Sequence, residues 1–211
     1  MSVSQLRSTY RNGRIDLQDM DPNPIRQFRS WLDDAIKSDI KEPNAMTLAT
    51  VDSHGRAAAR MVLLKGVEED GFSFFTNYES RKGQELGENP WAALVFYWDV
   101  LYRQVRVEGK ASPLSRHASE TYFKSRPYLS QLGALASKQS TVLETREELE
   151  TRFEELKSRY PEGQVPLPDF WGGYQIEPTA LEFWQGRENR MHDRFRYTRE
   201  HDSWRIERLA P

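Results

Sequence analysis

The chain has 211 residues, a formal net charge of −2 at pH 7 and no cysteine. This length fits one large domain, and the nearly balanced charge argues against broad electrostatic binding to nucleic acid or to an anionic membrane surface. The lack of cysteine excludes disulfides, zinc–thiolate sites and thiol chemistry, and it is compatible with the reducing cytoplasm in which we expect the protein to work.

The N-terminal part predicts a segment without regular structure followed by a helix. Residues 1–22 are polar, and we expect a mobile segment there, ahead of a single domain over residues 23–211. The stretch NPIRQFRSWLDDAIKSD then predicts a helix, because Asn23 is a favoured cap and Pro24 suits the first turn. Its apolar residues recur at helical spacing.

A β-rich block follows the first helix. AMTLATVD and AAARMVLLK predict a hairpin around the turn SHGR, and FSFFTN predicts a third strand. SRKGQELGEN predicts a short helix. AALVFYWD and YRQVRVEGKA predict two further strands, and the apolar run that contains the first of them is too short to span a bilayer.

The second half predicts helices and then strands. SRHASETYFKSR is expected to end at Arg126, because the residue before Pro127 disfavours the helical region. TREELETRFEELKSRY predicts an amphipathic helix, and the loop PEGQVPLPDFWGG leads to three strands, YQIEPTALEFW, MHDRFRYTR and SWRIERLAP. Many consecutive strands with peripheral helices predict an α+β fold built on an antiparallel barrel.

Several common site signatures are absent from the sequence. It contains no glycine-rich dinucleotide fingerprint, no phosphate-binding P-loop and no G-x-S-x-G nucleophile elbow. Its four histidines lack the spacing of metal ligands, so no metal site is expected.

Two groups of residues could each bind a phosphate. Ser80 caps a predicted helix whose first turn carries Arg81 and Lys82, where basic residues are unfavourable unless an anion binds. Tyr122 and Arg126 lie four residues apart on one helical face. Ser130 follows shortly after, and all three side chains of this second group can donate hydrogen bonds to a phosphate. The alternative for both groups is an ordinary solvated helix end.

The stretch ENRMHDRF places Arg190, His192 and Arg194 at alternate positions. On a strand these three side chains would share one face, where like charges repel each other. This pattern predicts a face that binds an anion or acts on one. The alternative is that the two arginines pair with nearby acids and that the histidine is structural.

Seven stretches in order resemble one family, from about Leu6 to Pro211: RMVLLK, FTNYESRK, RQVRVEGKA, SRPYLSQLGALASKQS, VPLPDFWGGY, EFWQGRENRMHDRF and WRIERLAP. The family is that of the pyridoxine (pyridoxamine) 5′-phosphate oxidases. The resemblance implies an antiparallel FMN-binding split β-barrel with peripheral helices and an obligate homodimer with two FMN sites at its interface. It also implies oxidation of pyridoxine or pyridoxamine 5′-phosphate to pyridoxal 5′-phosphate, by hydride transfer from C4′ to flavin N5. Oxygen would reoxidise the flavin and give hydrogen peroxide.

The resemblance also implies which residues form the site. The FMN-binding residues would be Arg60, Met61, Val62, Leu63, Leu64, Lys65, Phe75, Thr76, Arg81, Lys82, Gln104, Gln139, Ser140, Trp184 and Arg194. The substrate-binding residues would be Arg7, Ser8, Thr9, Tyr10, Lys65, Tyr122, Arg126, Ser130, Arg190, Met191 and His192. Arg190 and His192 would be catalytic, Gln139 and Ser140 would reach the FMN of the other subunit, and Phe75 stands where a tyrosine is common.

Two other functions fit the same fold. One is a non-catalytic carrier or sensor that binds FMN or pyridoxal phosphate, and the other is a flavin reductase that uses a nicotinamide. The presence of both FMN-type and substrate-type residues disfavours the carrier. Tyr122, Arg126 and Ser130 disfavour the reductase, because they suit a second phosphate.

Overall fold

The computed structural model describes residues 13–211, and within that range it confirms an α+β architecture. The helices are α1 (Pro24–Ile36), α2 (Arg81–Glu88), α3 (Arg116–Ser125), α4 (Tyr128–Ala136) and α5 (Arg146–Arg159). The strands are β1 (Ala45–Val51), β2 (Ala57–Leu63), β3 (Gly66–Glu68), β4 (Gly71–Asn77), β5 (Trp91–Trp98), β6 (Arg103–Pro113), β7 (Trp171–Gln185), β8 (Asp193–Glu200) and β9 (Ser203–Arg208). Over the same range, no helix combines the length and the hydropathy needed to cross a membrane.

The strands form one antiparallel sheet in the order β2-β1-β5-β6-β7-β4-β3, and β8 and β9 continue it from β7. The long strand β7 changes its partner along its length. Residues 171–176 pair with β4, and residues 180–185 pair with β8. Between them lies Pro178, which has no N–H to donate, and the register with β6 shifts at Glu108/Gly109. The sheet therefore divides at this point, as expected for a split barrel.

The sheet curls because the chain steps from one partner strand to another between β2 and β3. The backbone N–H of Leu64 donates to the carbonyl of Asn44 at 2.9 Å, and that of Lys65 donates to the carbonyl of Ser73 at 2.8 Å. The continuous chain of β2 and β3 thus pairs first with β1 and then with β4. This change of partner closes that side of the barrel.

The core fills the inside of the curled sheet, and α1 closes one end. Phe28 of α1 lies edge-on to Phe72 and Phe96, with ring centroids 4.8 Å apart in both pairs. The start of α1 is as predicted, because the side chain of Asn23 accepts the N–H groups of Ile25 and Arg26. Edge-to-face aromatic packing of this kind adds to the stabilisation from apolar burial.

Helices α3, α4 and α5 form a second layer outside the barrel. Phe123, Leu132, Val165 and Trp171 are the buried residues of this smaller core. As predicted, α3 ends before Pro127, and Arg126 has an extended backbone. The sequence did not separate α4 from its neighbours, and β7 starts at Trp171 instead of Tyr174.

Residues 13–22 pack against the barrel. Ile15 and Met20 belong to the main core, and the hydroxyl of Tyr197 donates to the carbonyl of Asp21 at 2.7 Å. This part of the expected N-terminal segment is therefore held by tertiary contacts. The predicted substrate residues Arg7, Ser8, Thr9 and Tyr10 lie outside the described residues.

Candidate functional site

A cleft of about 510 Å³ lies between the barrel and the helices α3 and α4. The predicted site residues that line it are Met61, Val62, Leu63, Lys65, Phe75, Thr76, Lys82, Tyr122, Arg126, Ser130 and Gln139. These residues come from the end of β2 and the segment after it, from β4, from the first turn of α2, from the α3–α4 corner and from the segment after α4. The fold thus brings Lys65 together with one of the two predicted phosphate-binding sets, which consists of Tyr122, Arg126 and Ser130.

Arg126 has an unusual environment in this cleft. Among the residues that the structure describes, its Nη1 atom is buried and has no hydrogen-bond partner. Its guanidinium carbon lies 4.8 Å from the ring centroid of Trp171, close enough for a cation–π contact. Burial lowers the pKa of Arg126. A buried donor without an acceptor is costly, so the cleft has unused capacity to bind an anion.

An aromatic stack forms one wall of the cleft. The ring of Phe75 stacks on that of Tyr122, with centroids 3.8 Å apart, and on that of Trp171 at 5.6 Å. Gly173, opposite Phe75 on β7, leaves room for this ring, because a Cβ atom there would lie 2.8 Å from it. Phe75 therefore fixes Tyr122 through ring packing, a role that needs no hydroxyl group.

Lys82 forms a buried cationic point at the start of α2. Its Nζ lies 3.2 Å from the hydroxyl of Thr76, 3.1 Å from that of Ser80 and 3.0 Å from the amide oxygen of Gln139. Burial and the nearby charge of Arg60 lower the pKa of Lys82. As predicted, Ser80 caps α2. The result is a cluster of hydrogen-bond donors suited to a phosphate group.

The other two predicted phosphate-binding cations share a carboxylate that the sequence reading missed. Arg60 Nη2 and Arg81 Nε each lie 2.8 Å from an oxygen of Glu85. Glu85 also accepts the hydroxyl of Thr50 at 2.5 Å. Neither arginine is among the described residues that line the cleft. The spacing of Arg81 and Glu85, four residues apart on a helix, is a signal that could have revealed this pair.

A second set of predicted FMN residues lies on the outer face of the sheet. Gln104, Trp184 and Arg194 are direct partners across β6, β7 and β8, so their side chains share one face. Arg194 Nε donates to Glu182 at 2.8 Å, and these two residues border a separate cavity of about 380 Å³. Within the described chain, this set does not line the larger cleft.

The predicted shared strand face of Arg190, His192 and Arg194 is wrong. β8 begins only at Asp193, and Glu188–Arg190 forms a 3₁₀ turn. Asn189 and Arg190 have φ angles of 56° and 61°, and an extended strand requires negative φ. Arg190, Met191 and His192 therefore lie in a tight loop, and only Arg194 lies on the strand.

This loop fixes the tautomer of His192. The Nδ1 atom accepts the backbone N–H of Arg187 at 3.0 Å, so a neutral ring carries its proton on Nε2. Its ring lies 4.7 Å from that of Trp184. Burial and the charge of Arg190 lower the pKa of His192, and the opposing effect of Asp193 is smaller. At neutral pH His192 is thus an uncharged donor, whereas the sequence pattern suggested a cation.

Four other predicted site residues lie in or near the cleft, in the core or at the surface. Gln139 lines the cleft of its own chain, and its expected reach to the FMN of the other subunit stays a prediction. Ser140 follows it in a turn with a φ of 74°. Leu64 is buried, and Met191 is 68% exposed. Across residues 13–211, no group of three or more acidic or histidine side chains is arranged to hold a metal ion.

Comparisons with known proteins agree on one family. A family model described as pyridoxamine 5′-phosphate oxidase matches residues 32–160. A second, described as the pyridoxine 5′-phosphate oxidase C-terminal dimerisation region, matches residues 171–211. A protein of Paraburkholderia phytofirmans is 55% identical over 212 residues, with 100% of this chain and 99% of that protein covered. One from Cyanothece sp. is 53% identical over 211 residues, at the same coverage. Both are named pyridoxine/pyridoxamine 5′-phosphate oxidase.

Two solved structures share the fold. PhzG from Burkholderia lata, in complex with tetrahydrophenazine-1-carboxylic acid, has a TM-score of 0.90 and 31% identity, covering 97% of this chain and 100% of that one. An FMN-binding protein from Nostoc punctiforme, related to pyridoxamine 5′-phosphate oxidase, has a TM-score of 0.74 and 20% identity, covering 91% and 100%. At that identity, the second likeness shows the fold alone.

Proposed function

The chain belongs to the pyridoxamine 5′-phosphate oxidase family, and we propose that it is an FMN-dependent oxidase of vitamin B6 phosphates. Its substrates would be pyridoxine 5′-phosphate, pyridoxamine 5′-phosphate and O₂, and its product would be pyridoxal 5′-phosphate, for vitamin B6 biosynthesis or salvage. The observation that carries this proposal is the buried guanidinium nitrogen of Arg126 in the cleft, which has no hydrogen-bond partner among residues 13–211.

The environment of Arg126 fits the phosphate of the substrate. Lys65, Tyr122 and Ser130 line the same cleft, so two cations and two hydroxyl groups can converge on one dianion. A guanidinium group can bind a phosphate in a two-pronged manner. Because this phosphate is remote from the reacting carbon, its binding energy can position the pyridine ring for reaction.

The residues around Lys82 fit the phosphate of FMN. A buried ammonium group, the hydroxyl of Thr76 and the backbone N–H groups at the start of α2 supply donors of the kind that a phosphate monoester needs. The charge of Arg60 is close enough to lower the pKa of Lys82, and Arg81 precedes Lys82 in the first turn of α2. When bound, FMN would accept a hydride from C4′ of the substrate and be reoxidised by O₂ to give hydrogen peroxide.

A homodimer would complete the site. Gln104, Trp184 and Arg194 lie on the outer face of the sheet and do not border the larger cleft, so in our proposal a second copy supplies them. Strand register continues this face to Met61 on β2, which is 64% exposed. The match to a C-terminal dimerisation region over residues 171–211 supports an interface that includes β7 and β8.

Arg190 and His192 would act on the pyridine ring of the substrate. The Nε2–H group of a neutral His192 can donate a hydrogen bond to the phenolic oxygen of the substrate ring. Arg190 can stabilise negative charge on that oxygen. An electron-rich ring releases hydride more easily, and fixed donors stabilise it without reorganisation. In this proposal His192 orients and polarises the ring and does not abstract a proton.

A second candidate function follows from the PhzG structure. Its TM-score of 0.90 and its complex with tetrahydrophenazine-1-carboxylic acid favour oxidation of a reduced tricyclic acid. A carboxylate could bind Arg126 as a phosphate does. The set of two cations and two hydroxyls suits a dianion better than a monoanion, and it therefore favours the phosphate ester.

The deciding experiment is aerobic turnover by the purified, FMN-loaded protein. Pyridoxine 5′-phosphate, pyridoxamine 5′-phosphate, tetrahydrophenazine-1-carboxylic acid and a reduced nicotinamide would be supplied in parallel. Hydrogen peroxide, pyridoxal 5′-phosphate and the remaining nicotinamide would be measured. Formation of pyridoxal phosphate supports the proposal. Oxidation of the phenazine acid alone supports the second candidate. Flavin binding without turnover indicates a carrier, and consumption of a nicotinamide indicates a reductase.

A further inference from the structure

The carboxylate of Glu85 lies at the centre of a buried ionic cluster that the proposed reaction does not use. Glu85 is only 4% exposed. One of its oxygens contacts Arg60 at 2.8 Å and the hydroxyl of Thr50 at 2.5 Å, and the other contacts Arg81 at 2.8 Å. Both guanidinium groups belong to the set proposed to bind the FMN phosphate. An acidic side chain therefore occupies the neighbourhood where an anionic ligand is expected.

Glu85 is ionised at neutral pH. Burial alone would raise its pKa, but hydrogen bonds from Thr50, Arg81 and Arg60 outweigh this effect and hold the pKa below its ordinary value. The carboxylate thus compensates the charge of Arg60, whose side chain is only 20% exposed. A buried cation without such a partner is strongly destabilising.

We propose that Glu85 is an internal counter-anion of the flavin phosphate site, which balances Arg60 and Arg81 when no flavin is bound and thereby limits the affinity for FMN. This inference rests on the proposed function. Without flavin, Glu85 is the anion that neutralises the two arginines. With FMN bound, its phosphate takes over part of that role, and Glu85 then repels it.

The direction of the effect follows from linkage. Neutralising Glu85 destabilises the flavin-free protein more than the FMN complex, because the phosphate compensates the arginines only in the complex. Any change that destabilises the free state more than the bound state tightens binding. Arg60 would keep its orientation in a Glu85→Gln variant, because its Nη1 also donates to the carbonyl of Leu48 at 3.3 Å and to the hydroxyl of Thr50.

The test compares flavins with and without a phosphate. Dissociation constants for FMN and riboflavin would be measured by flavin fluorescence with the flavin-free forms of wild type, Glu85→Gln and Glu88→Gln. Glu88 lies on the same helix, is exposed and undergoes the same change of charge. We expect Glu85→Gln to bind FMN on the order of tenfold more tightly, with unchanged affinity for riboflavin. Glu88→Gln should match wild type for both flavins.

Other outcomes overturn the inference. Weaker or unchanged FMN binding by Glu85→Gln would show that Glu85 does not oppose the phosphate, and equal changes for FMN and riboflavin would show a general structural effect. If flavin-free Glu85→Gln does not stay folded, the rate of FMN release from the loaded protein decides, and we expect slower release than from wild type. Failure of wild type to bind FMN would instead refute the proposed function itself.

Discussion

Arg126 combines burial, a cation–π contact with Trp171 and an Nη1 atom that lacks a partner among the described residues. Replacing it with alanine should remove most of the preference for phosphorylated substrate, because a charge-assisted contact is lost. The loss of transition-state stabilisation calculated from kcat/KM should be about 2–4 kcal/mol. The measurement is kcat/KM for pyridoxine with and without its phosphate. FMN binding should persist, since Lys82, Arg60 and Arg81 are untouched.

Lys124→Ala is the matched control for Arg126→Ala. Lys124 lies on α3, and its side chain is 66% exposed. Within residues 13–211 it forms one salt bridge, with Glu120. Surface pairs of this kind contribute little. If Arg126→Ala keeps the wild-type ratio of the two kcat/KM values, the phosphate site is assigned to the wrong residues.

The depressed pKa of His192 predicts how the reaction depends on pH. Because burial and the charge of Arg190 hold this pKa below its ordinary value of 6.5, the neutral form should prevail at pH 7. The rate of flavin reduction should then be flat above that pH and decline only on acidification. Arg190→Met removes one cause of the depression, so the acidic decline should move to higher pH.

Anaerobic stopped-flow measurements across this range provide the test. Each of Arg190→Met and His192→Asn should also slow flavin reduction, because its activation free energy rises by about 2–4 kcal/mol. The FMN content should change little. Normal reduction rates in both variants would exclude the assigned roles.

Some of these residues could be predicted from sequence, and others could not. The convergence of Tyr122, Arg126 and Ser130 follows from helical spacing and from the break at Pro127. The contact between Glu85 and Arg60 could not be predicted because charge pairing between α2 and β2 is a tertiary contact, whereas the pairing of Glu85 with Arg81 follows from helical spacing. Arg190 and His192 were placed on a strand because alternation of residue types does not reveal a positive φ angle.

At the scale of one element, α2 positions Lys82 through a close approach of its first turn to the preceding chain. A Cβ atom on Gly83 would lie 2.1 Å from the carbonyl oxygen of Tyr78, whereas one on Gly87 would have nothing within 4 Å. Gly83→Ala should therefore displace the start of α2, lower the free energy of unfolding by roughly 1–3 kcal/mol and weaken FMN binding.

Gly87→Ala tests whether the effect is specific to position 83. It lies in the same helix without a clash, so it should raise the free energy of unfolding by about 0.5–1 kcal/mol and leave FMN affinity unchanged. Denaturant unfolding and flavin titration of both variants give the comparison. Equal behaviour of the two would show that the close approach to Tyr78 is unimportant.

Element types were predicted better than element ends. Strong periodicity and capping residues located α1, α2 and the hairpin β1–β2. The start of β7 was missed because Trp171, Gly172 and Gly173 look like a continuation of the proline-rich loop. Their pairing with β4, which depends on distant residues, makes them a strand.

At the scale of the whole molecule, the outer face of β2, β1 and β5 should be the interface between two copies. Ala59, Ala49 and Ala93 are partners across these strands and allow close approach. Ala59→Glu should produce monomers that have lost most of their FMN, because each cleft then lacks Gln104, Trp184 and Arg194 from the partner.

Sedimentation equilibrium and flavin content provide the readout. Ser203→Glu, an exposed position on β9, is a control that adds the same charge. A monomeric Ala59→Glu protein with normal FMN content would contradict the composite site. In wild type, FMN should raise the melting temperature, since a ligand of the native state stabilises it.

The barrel itself could be predicted from the succession of strands. The family resemblance implied FMN sites shared between two chains, but it did not indicate that Gln104, Trp184 and Arg194 would come from the partner, because strand register decides which face each residue occupies. Gln104, Trp184 and Arg194 share the outer face only through the pairing of β6, β7 and β8.

The number of residues in β7 fixes the distance between the two parts of the proposed site. Trp171 at one end belongs to the wall of the cleft, and Trp184 near the other end faces outward beside Arg194. Their separation corresponds to about 43 Å of extended backbone. Removing one residue between them would exchange the facing of Phe183 and Trp184, turning the phenyl ring outward and the indole into the core. We therefore expect this strand to tolerate replacement of its side chains far better than any change in its number of residues.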